Sequence, residues 1–272
     1  MKVLISTDIE GVAGVFRHEQ GRPGNPEYEH ARLLMTGEAN AAIAGAFEAG
    51  ATDVLVNDSH GSGNNMPADM LDPRAQAIVG KPRYLGMVAG VDQGVAAVCL
   101  IGYHSRAQGR GVLAHTINSF AFARVCLNDH ELGEAGLYGA LAGEYGVPVA
   151  MASGDDVFIE EHRSILPDTT FVQTKRATGQ TSCISLSPGQ SRSAIRAGVI
   201  KALRQLNQMQ PFVLKGPISA RVQTQTPALA DLFCQWPTLQ RLSSDELGFD
   251  APTVEAAVRM INCLSAMSTV LR

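Results

Sequence analysis

Short apolar runs that alternate with a long helical pattern constrain the fold of this chain more than any other feature. Lys2–Thr7 and residues 53–57 are apolar and rich in β-forming residues. Between them, apolar residues recur at three- and four-residue spacing from Asn25-Pro26, a helix-start signal, to Gly50, a stop signal. Strand–helix–strand order with buried strands is typical of a parallel sheet covered by helices. Residues 94–103 and 147–153 are further apolar strands of this kind.

We therefore predict an α/β fold with a largely parallel sheet, helices on both faces and a smaller C-terminal α/β part. Two units are predicted, residues 1–155 and 156–272, although no Pro/Gly/Ser-rich linker separates them and a single domain is the alternative. Further predicted elements are strands at 75–79, 121–127, 211–214 and 218–222, and helices opening at 84–90 and spanning 132–145, 187–207 and 251–270.

Composition and charge exclude several classes of function. The formal net charge is −4 and the two signs are mixed along the chain, so no segment is basic enough to follow a phosphate backbone. We expect no binding to nucleic acid or to an anionic membrane surface. Charged residues make up only 18% of the chain, which fits an oligomer with neutral interfaces and equally a monomer with a large core.

Features of the termini and cysteines predict a cytoplasmic protein. The segment Met1–Asp8 has one lysine and a short apolar run followed at once by an acid, which is unlike a signal peptide. We expect no membrane span, because we find no uncharged apolar stretch of about 18 residues. The five cysteines are odd in number and form no CxxC pair, so reduced thiols are favoured over disulfides or thiolate metal ligation.

Two carboxylates follow the first predicted strand. Asp8 and Glu10 are two residues apart, and in extended backbone such side chains point to the same side. Adjacent carboxylates repel each other unless a positive charge lies between them, and a divalent metal often supplies it. A solvated turn at the end of the strand is the alternative.

Histidines follow two other predicted strands. His60 ends the run Val56-Asn57-Asp58-Ser59-His60, and His104 ends the run Cys99-Leu100-Ile101-Gly102-Tyr103-His104. In an open parallel sheet, ligands bind at the carboxyl ends of the strands. The sequence therefore predicts that these histidines meet Asp8 and Glu10 at one edge. Mixed imidazole and carboxylate ligands suit zinc, and also manganese or cobalt.

Two more residues are candidates for the same site. His115 lies in an apolar segment close after His104, where a core histidine is the alternative. Glu134 lies at the entry of a predicted helix, where it also fits a residue that interacts with the helix dipole, and Glu131 competes for its role. The remaining histidines have polar neighbours and are predicted to lie on the surface; they are His18, His30, His130 and His162.

Together these motifs resemble those of the D-aminopeptidase family of metallopeptidases. The resemblance covers nearly the whole chain and is weaker after about residue 160. The motifs that carry it are Asp8-Ile9-Glu10-Gly11-Val12-Ala13-Gly14, Val56-Asn57-Asp58-Ser59-His60, Gly102-Tyr103-His104, Gly133-Glu134-Ala135-Gly136-Leu137, Arg32-Leu33-Leu34-Met35-Thr36-Gly37-Glu38-Ala39-Asn40, Asn64-Asn65 and Gly154-Asp155-Asp156. It implies a metal-binding catalytic core in residues 1–155 with two zinc ions, Asp8 bridging them and Glu10, His60, His104 and Glu134 completing the coordination.

The resemblance also implies an activity and an assembly. His115 matches the position of a catalytic nucleophile or base, and the reaction removes N-terminal residues, typically D-amino acids such as D-Ala, from short peptides. Members of the family form stacked rings, a homodecamer with active sites facing an internal channel. This sequence departs from the family at Thr116, where serine is usual, and in residues 17–25, so a different substrate preference stays open.

Other functions remain open at this stage. One is another dinuclear metal hydrolase, such as an amidohydrolase or an L-aminopeptidase, and the other is a non-enzymatic peptide or metal binder. A phosphatase is disfavoured because no basic cluster lies near the motifs in the sequence.

Overall fold

A seven-stranded sheet forms the centre of the protein, which a computed structural model describes over all residues 1–272. Its strand order is β3-β2-β1-β4-β7-β8-β9, and every neighbouring pair is parallel except β8 with β9. The strands are β1 (Lys2–Thr7), β2 (Asp53–Asp58), β3 (Gln76–Ile78), β4 (Ala97–Ile101), β7 (Val149–Asp155), β8 (Thr170–Gly179) and β9 (Ser182–Ser185). The predicted largely parallel sheet is confirmed.

Two helices cover one face of this sheet. In α1 (Pro26–Glu48), the Asn25 side chain accepts a hydrogen bond from the Tyr28 amide and Pro26 occupies the first turn, so the helix begins where the sequence predicted. Gly50 follows the helix with φ of +94°, a conformation that favours glycine. The second helix, α4 (Pro188–Arg204), packs against α1, and the two enclose a core of 29 buried residues with the sheet.

The opposite face carries a larger core of 42 buried residues. It packs the main sheet against α2 (Glu134–Glu144), α6 (Val254–Met267) and a second, antiparallel sheet of order β11-β12-β10-β5-β6. The remaining elements are β5 (Phe122–Leu127), β6 (His130–Glu131), α3 (Asp156–His162), β10 (Ile218–Thr224), α5 (Pro227–Phe233), β11 (Gln240–Arg241) and β12 (Glu246–Ala251). The prediction of helices on both faces is therefore confirmed.

The C-terminal segment Val254–Leu271 is long and apolar enough, by length and composition only, to cross a membrane, which the sequence analysis did not anticipate. One such segment is weak evidence, because the core helix of a soluble protein passes the same test. Here one side of α6, including Val254, Val258 and Ile261, is buried in the larger core. This packing buries 33% of the segment inside the protein.

Some elements differ from the predictions. Residues 211–214 are not a strand, and residues 84–90 contain only a single 3-10 turn at Gly86–Val88. Strand β5 joins the smaller sheet, where it pairs with β10, so that sheet uses residues from both halves of the chain. Strands β7 and β8, on the two sides of residue 155, pair in the main sheet. The division into two domains at this residue stays a prediction.

Candidate metal centre

The predicted ligands meet at the carboxyl end of the main sheet. Strand β1 lies between β2 and β4, so the segments that follow these three strands are neighbours. The Asp8 amide donates to the Ile101 carbonyl at 2.8 Å, and the Gly11 amide donates to the Gly102 carbonyl at 2.7 Å. These bonds join the segment that carries Asp8 and Glu10 to the segment that carries His104.

Two motif glycines allow this close approach. A Cβ atom on Gly11 would lie 1.9 Å from the Tyr103 carbonyl oxygen, and one on Gly102 would lie 2.3 Å from the Asp8 carbonyl oxygen. Both contacts are with backbone and cannot be relieved by a side-chain rotation. Any other residue at either position would separate the two ligand-bearing segments.

His60 lies between two carboxylates. Its Nδ1 atom is 3.1 Å from Asp8 Oδ1 and 3.1 Å from Glu10 Oε2. The other ring nitrogen, Nε2, donates to the Gly21 carbonyl at 2.8 Å. A backbone acceptor on one nitrogen sets the tautomer and aims the other nitrogen at the cluster, which is how metal-bound histidines are held.

His104 repeats this arrangement on the other side of Asp8. Its Nδ1 atom donates to the Ser105 carbonyl at 2.9 Å. Its Nε2 atom is 3.3 Å from Asp8 Oδ2 and 3.5 Å from Glu134 Oε1. Asp8 thus directs one oxygen to each histidine, as a bridging ligand would. Glu134, the first residue of α2, also accepts a hydrogen bond from the Ile117 amide at 2.6 Å.

The charges of these buried side chains are strongly coupled. Burial by itself would raise the pKa of Asp8. The neighbouring His104 and His60 imidazoles outweigh this effect and hold the pKa of Asp8 well below its usual range. Burial lowers the pKa values of His60 and His104, but neighbouring carboxylates, chiefly Glu10 and Glu134 respectively, raise them well above the usual value. Without a metal, protons on the imidazoles supply the positive charge that these carboxylates require.

These side chains fit a metal ion. Asp8, Glu10 and His104 offer ligand atoms that all lie within 4.8 Å of one another, and so do His104, His115 and Glu134. Three buried atoms of the cluster have no hydrogen-bond partner, namely Asp8 Oδ2, Glu10 Oε2 and His104 Nε2. Buried polar atoms rarely lack a partner, and a cation would satisfy all three. The mixture of imidazole and carboxylate donors suits zinc.

His115 stands beside this cluster and not inside the hydrophobic core. Its ring stacks on His104 with centroids 4.1 Å apart and an interplanar angle of 11°. Its Nδ1 atom donates to the Leu113 carbonyl at 2.9 Å, and Nε2 lies 3.6 Å from Glu134 Oε1. Leu113 and Ile117 have φ values of +55° and +59°, which are costly for branched residues and are characteristic of functional sites.

Residues outside the predicted set hold the ligands in place. The Asp58 carboxylate accepts hydrogen bonds from the Asn65 amide at 2.5 Å and the Met66 amide at 2.8 Å, and the Asn65 side chain donates to the His60 carbonyl at 2.7 Å. Asp155 accepts from the Val112 amide at 2.6 Å and so fixes the segment that leads to His115. Their motifs were noticed in the sequence, but their supporting role was not.

Lys175, far along the chain from the ligands, supports the segment that follows β1. Its buried ammonium donates to three carbonyl groups, those of Glu10 at 2.5 Å, Val12 at 2.9 Å and Val15 at 2.5 Å. Burial lowers its pKa to about 8. Nothing in the local sequence around this residue, in the middle of β8, connects it with the segment after β1. Only the fold reveals the contact.

Other predictions have clear outcomes. Glu131 pairs with Arg106 at 3.0 Å and Arg124 at 3.3 Å and takes no part in the cluster. The prediction that His162 lies on the surface is wrong: α3 turns it inward, it donates to the Phe158 carbonyl, and burial lowers its pKa to about 4. The other three lie on the surface as predicted; they are His18, His30 and His130.

A cavity of about 780 Å³ opens onto the cluster. Its wall includes His18, Gly21 and Arg22, from the 17–25 segment in which the sequence departs from the family. The sequence showed no basic cluster near the motifs, but the folded chain has basic residues at the site. Four cations from separate parts of the chain line the cavity wall, namely Arg22, Lys81, Arg110 and Arg272. Thr116 lies beside this wall, where its hydroxyl accepts from the Ala107 amide at 3.0 Å, a bond that serine could also make.

Comparison with known proteins gives one consistent result. The model of the D-aminopeptidase family, peptidase family M55, matches residues 1–263. A D-aminopeptidase of Bacillus subtilis (strain 168) is 36% identical over 212 residues, which are 78% of this chain and 77% of that protein. A solved structure, the zinc-dependent D-aminopeptidase DppA from Bacillus subtilis, described as a self-compartmentalizing protease, is 30% identical with a TM-score of 0.96. The match covers 99% of this chain and 98% of that one.

Proposed function

The chain belongs to the D-aminopeptidase family and is a metallo-aminopeptidase, and from this premise we propose that it holds two zinc ions and removes N-terminal D-residues, such as D-Ala, from short peptides. The observation that carries the proposal is the position of Asp8, whose two carboxylate oxygens face His60 and His104 separately. One ion would be held by Asp8, Glu10 and His60, and the second by Asp8, His104 and Glu134.

When bound, the two ions would supply Lewis-acid polarisation of the scissile carbonyl and would lower the pKa of an attacking water towards roughly 7. The residues of the chain supply the rest. His60 and His104 are fixed by their bonds to the Gly21 and Ser105 carbonyls, so no reorganisation of the rings is needed during the reaction.

His115 is the proposed proton carrier. Because its Nδ1–H is donated to the Leu113 carbonyl, the neutral ring has its lone pair on Nε2, which faces Glu134. This nitrogen can accept a proton as the peptide is attacked and return it to the leaving amine, a role that typically contributes about a hundred- to ten-thousand-fold in rate. Direct attack by His115 would instead require a covalent intermediate, which a burst of product before the steady state would reveal.

We also propose that the protein acts as a cytoplasmic ring-stacked homodecamer with its cavities facing an internal channel. The DppA structure is described as a self-compartmentalizing protease, which supports an oligomeric assembly. Large apolar side chains that are exposed in the single chain, among them Ile184, Val213 and Trp236, are available for subunit interfaces. Sedimentation velocity of the purified protein would measure the size of the assembly.

The proposed cytoplasmic location is supported by the cysteines. All five are free thiols, in keeping with a reducing compartment.

The decisive experiment compares substrates on one zinc-loaded preparation. We expect hydrolysis of D-Ala-D-Ala, slower hydrolysis of L-Ala-L-Ala, and loss of both activities after removal of zinc by a chelator. A preference for the L-peptide would contradict the proposed stereochemistry. Because four cations line the cavity, p-nitrophenyl phosphate must be included, and its hydrolysis in preference to both peptides would indicate a phosphatase.

A further inference from the structure

The cavity contains positive charge that the reaction described above does not use. Three carboxylates on its wall, Asp8, Glu10 and Glu134, all contact imidazoles of the cluster. The four cations on the same wall, introduced above, form no ion pair with any carboxylate of the chain. A concave site with unpaired cations attracts and orients an anionic ligand.

Lys81 is flanked by residues that are bonded to the end of β2 and to the segment after it. The Gly80 amide, one residue before it, donates to the Gly63 carbonyl at 2.6 Å. Two residues after it, Arg83 donates to the Asp58 carbonyl at 2.5 Å and to the Ile78 carbonyl at 3.2 Å. Lys81 thus lies between a backbone bond to the segment that follows β2 and side-chain bonds of Arg83 to β2 and β3. Its side chain is exposed and lines the cavity.

The Lys81 ammonium is also within electrostatic reach of the metal ligands. Partial desolvation and the nearby Arg83 guanidinium lower its pKa, whereas the charges of Glu134 and Asp8 raise it. The other three cations line the same cavity in different surroundings. The guanidinium of Arg272 lies over the Phe120 ring, 5.8 Å from its centroid. Arg22 and Arg110, like Lys81, line the cavity without an ion pair, and the test below separates Lys81 from Arg110.

We propose that Lys81 determines substrate length by pairing with the free C-terminal carboxylate of a short peptide whose first peptide bond lies at the metal centre. This inference rests on the proposed peptidase function. An extended residue spans about 3.3–3.6 Å, so each added residue moves the C-terminal carboxylate further from the metal centre and away from one fixed ammonium group. The enzyme would therefore select very short peptides with a free C-terminus over amidated or longer ones.

The test uses two substrates that differ only at the C-terminus, D-Ala-D-Ala and D-Ala-D-Ala-NH2, with the zinc-loaded wild type and Lys81→Met. The wild type should prefer the free acid. Lys81→Met should lose about 10- to 100-fold in kcat/KM on the free acid, mostly through KM, and should change little on the amide, because a hydrogen-bonded charge pair is lost for the first substrate only. Lys81→Arg should restore most of the preference. Lys201→Met, the same change at an exposed lysine on α4 outside the cavity, is the matched control.

The outcomes separate this inference from the function on which it rests. Equal losses on both substrates would show that Lys81 supports the fold, and no loss on either would show that it binds nothing; both results overturn the inference while leaving the peptidase intact. If Arg110→Met but not Lys81→Met loses kcat/KM on the free acid alone, the peptide carboxylate binds at Arg110. That result would also overturn the inference about Lys81. If the wild type cleaves neither peptide, the proposed function fails. Calorimetric binding of the reduced-bond dipeptide, as free acid and as amide, to wild type and Lys81→Met then tests the carboxylate contact directly.

Discussion

The imidazole of His115 stacks on that of His104, with ring centroids 4.1 Å apart. One of these histidines is a proposed metal ligand and the other a proposed proton carrier. The stack holds His115 against the cluster without using its Nε2 atom, because the ring is anchored by Nδ1 at the Leu113 carbonyl. Metal binding and proton transfer can therefore be separated by mutation.

Replacement of His115 tests this separation. We expect His115→Ala to lower kcat by about a hundred- to ten-thousand-fold, because the proton carrier is lost, while the zinc content stays at the wild-type level. Both quantities can be measured on one preparation by steady-state kinetics and elemental analysis. His130→Ala, at an exposed histidine, should change neither. Full activity in His115→Ala would remove this residue from the mechanism.

The bridging position of Asp8 predicts a distinctive metal stoichiometry. We expect Asp8→Ala to lose both zinc ions, whereas Glu134→Ala should lose mainly the ion on the His104 side, because Glu134 does not contact His60. Zinc per subunit after dialysis against buffer is the measurement, and Asp69→Ala, at an exposed acid, is the control. If Asp8→Ala and Glu134→Ala retain the same amount of zinc, Asp8 is not shared between the ions.

The histidine and carboxylate pKa shifts predict how pH affects the zinc-free protein. The pKa values of His60 and His104 are raised above 6.5, so their protonated forms stabilise the fold below that pH, and this contribution is lost as pH rises through the raised values. The pKa values of Asp8 and Glu134 are lowered below 3.8 and 4.5, so their contribution is present above those values and is lost on acidification through the lowered ones.

Bound zinc should reverse the loss of stability that we expect for the zinc-free protein at alkaline pH. Zinc binds neutral imidazole, so the stabilisation that zinc provides should grow as pH rises beyond 6.5, while the zinc-free protein becomes less stable. Thermal unfolding between about pH 5 and pH 9, with zinc and with a chelator, measures both trends. A zinc effect that is independent of pH would exclude proton release from these histidines.

Lys175 should be essential for stability although it lies outside the cavity. Lys175→Met would leave three buried carbonyl groups without their donor, and we expect the free energy of unfolding to fall by about 3 kcal/mol or more. Urea denaturation of the zinc-free protein measures the loss, and Lys215→Met, at an exposed lysine, should match the wild type. Wild-type stability in Lys175→Met would mean that water replaces the ammonium.

The sequence by itself determined the parallel sheet and the chemistry at its edge. Apolar runs that each end in a carboxylate or a histidine place Asp8, Glu10, His60 and His104 after strands, and in parallel strands all such ends lie on one side. Local periodicity is sufficient for this inference because a buried strand is recognised by its own contiguous apolar residues.

Only the tertiary structure decided which groups share the site. The order β2-β1-β4 brings the ligand segments together, and Lys175 reaches the segment after β1 from β8. The first turn of α2 places Glu134 beside His104, whereas Glu131 pairs with two arginines. The four cations of the cavity come from distant parts of the chain and looked unrelated in sequence. These contacts depend on the relative packing of whole elements, which no local pattern of residues encodes.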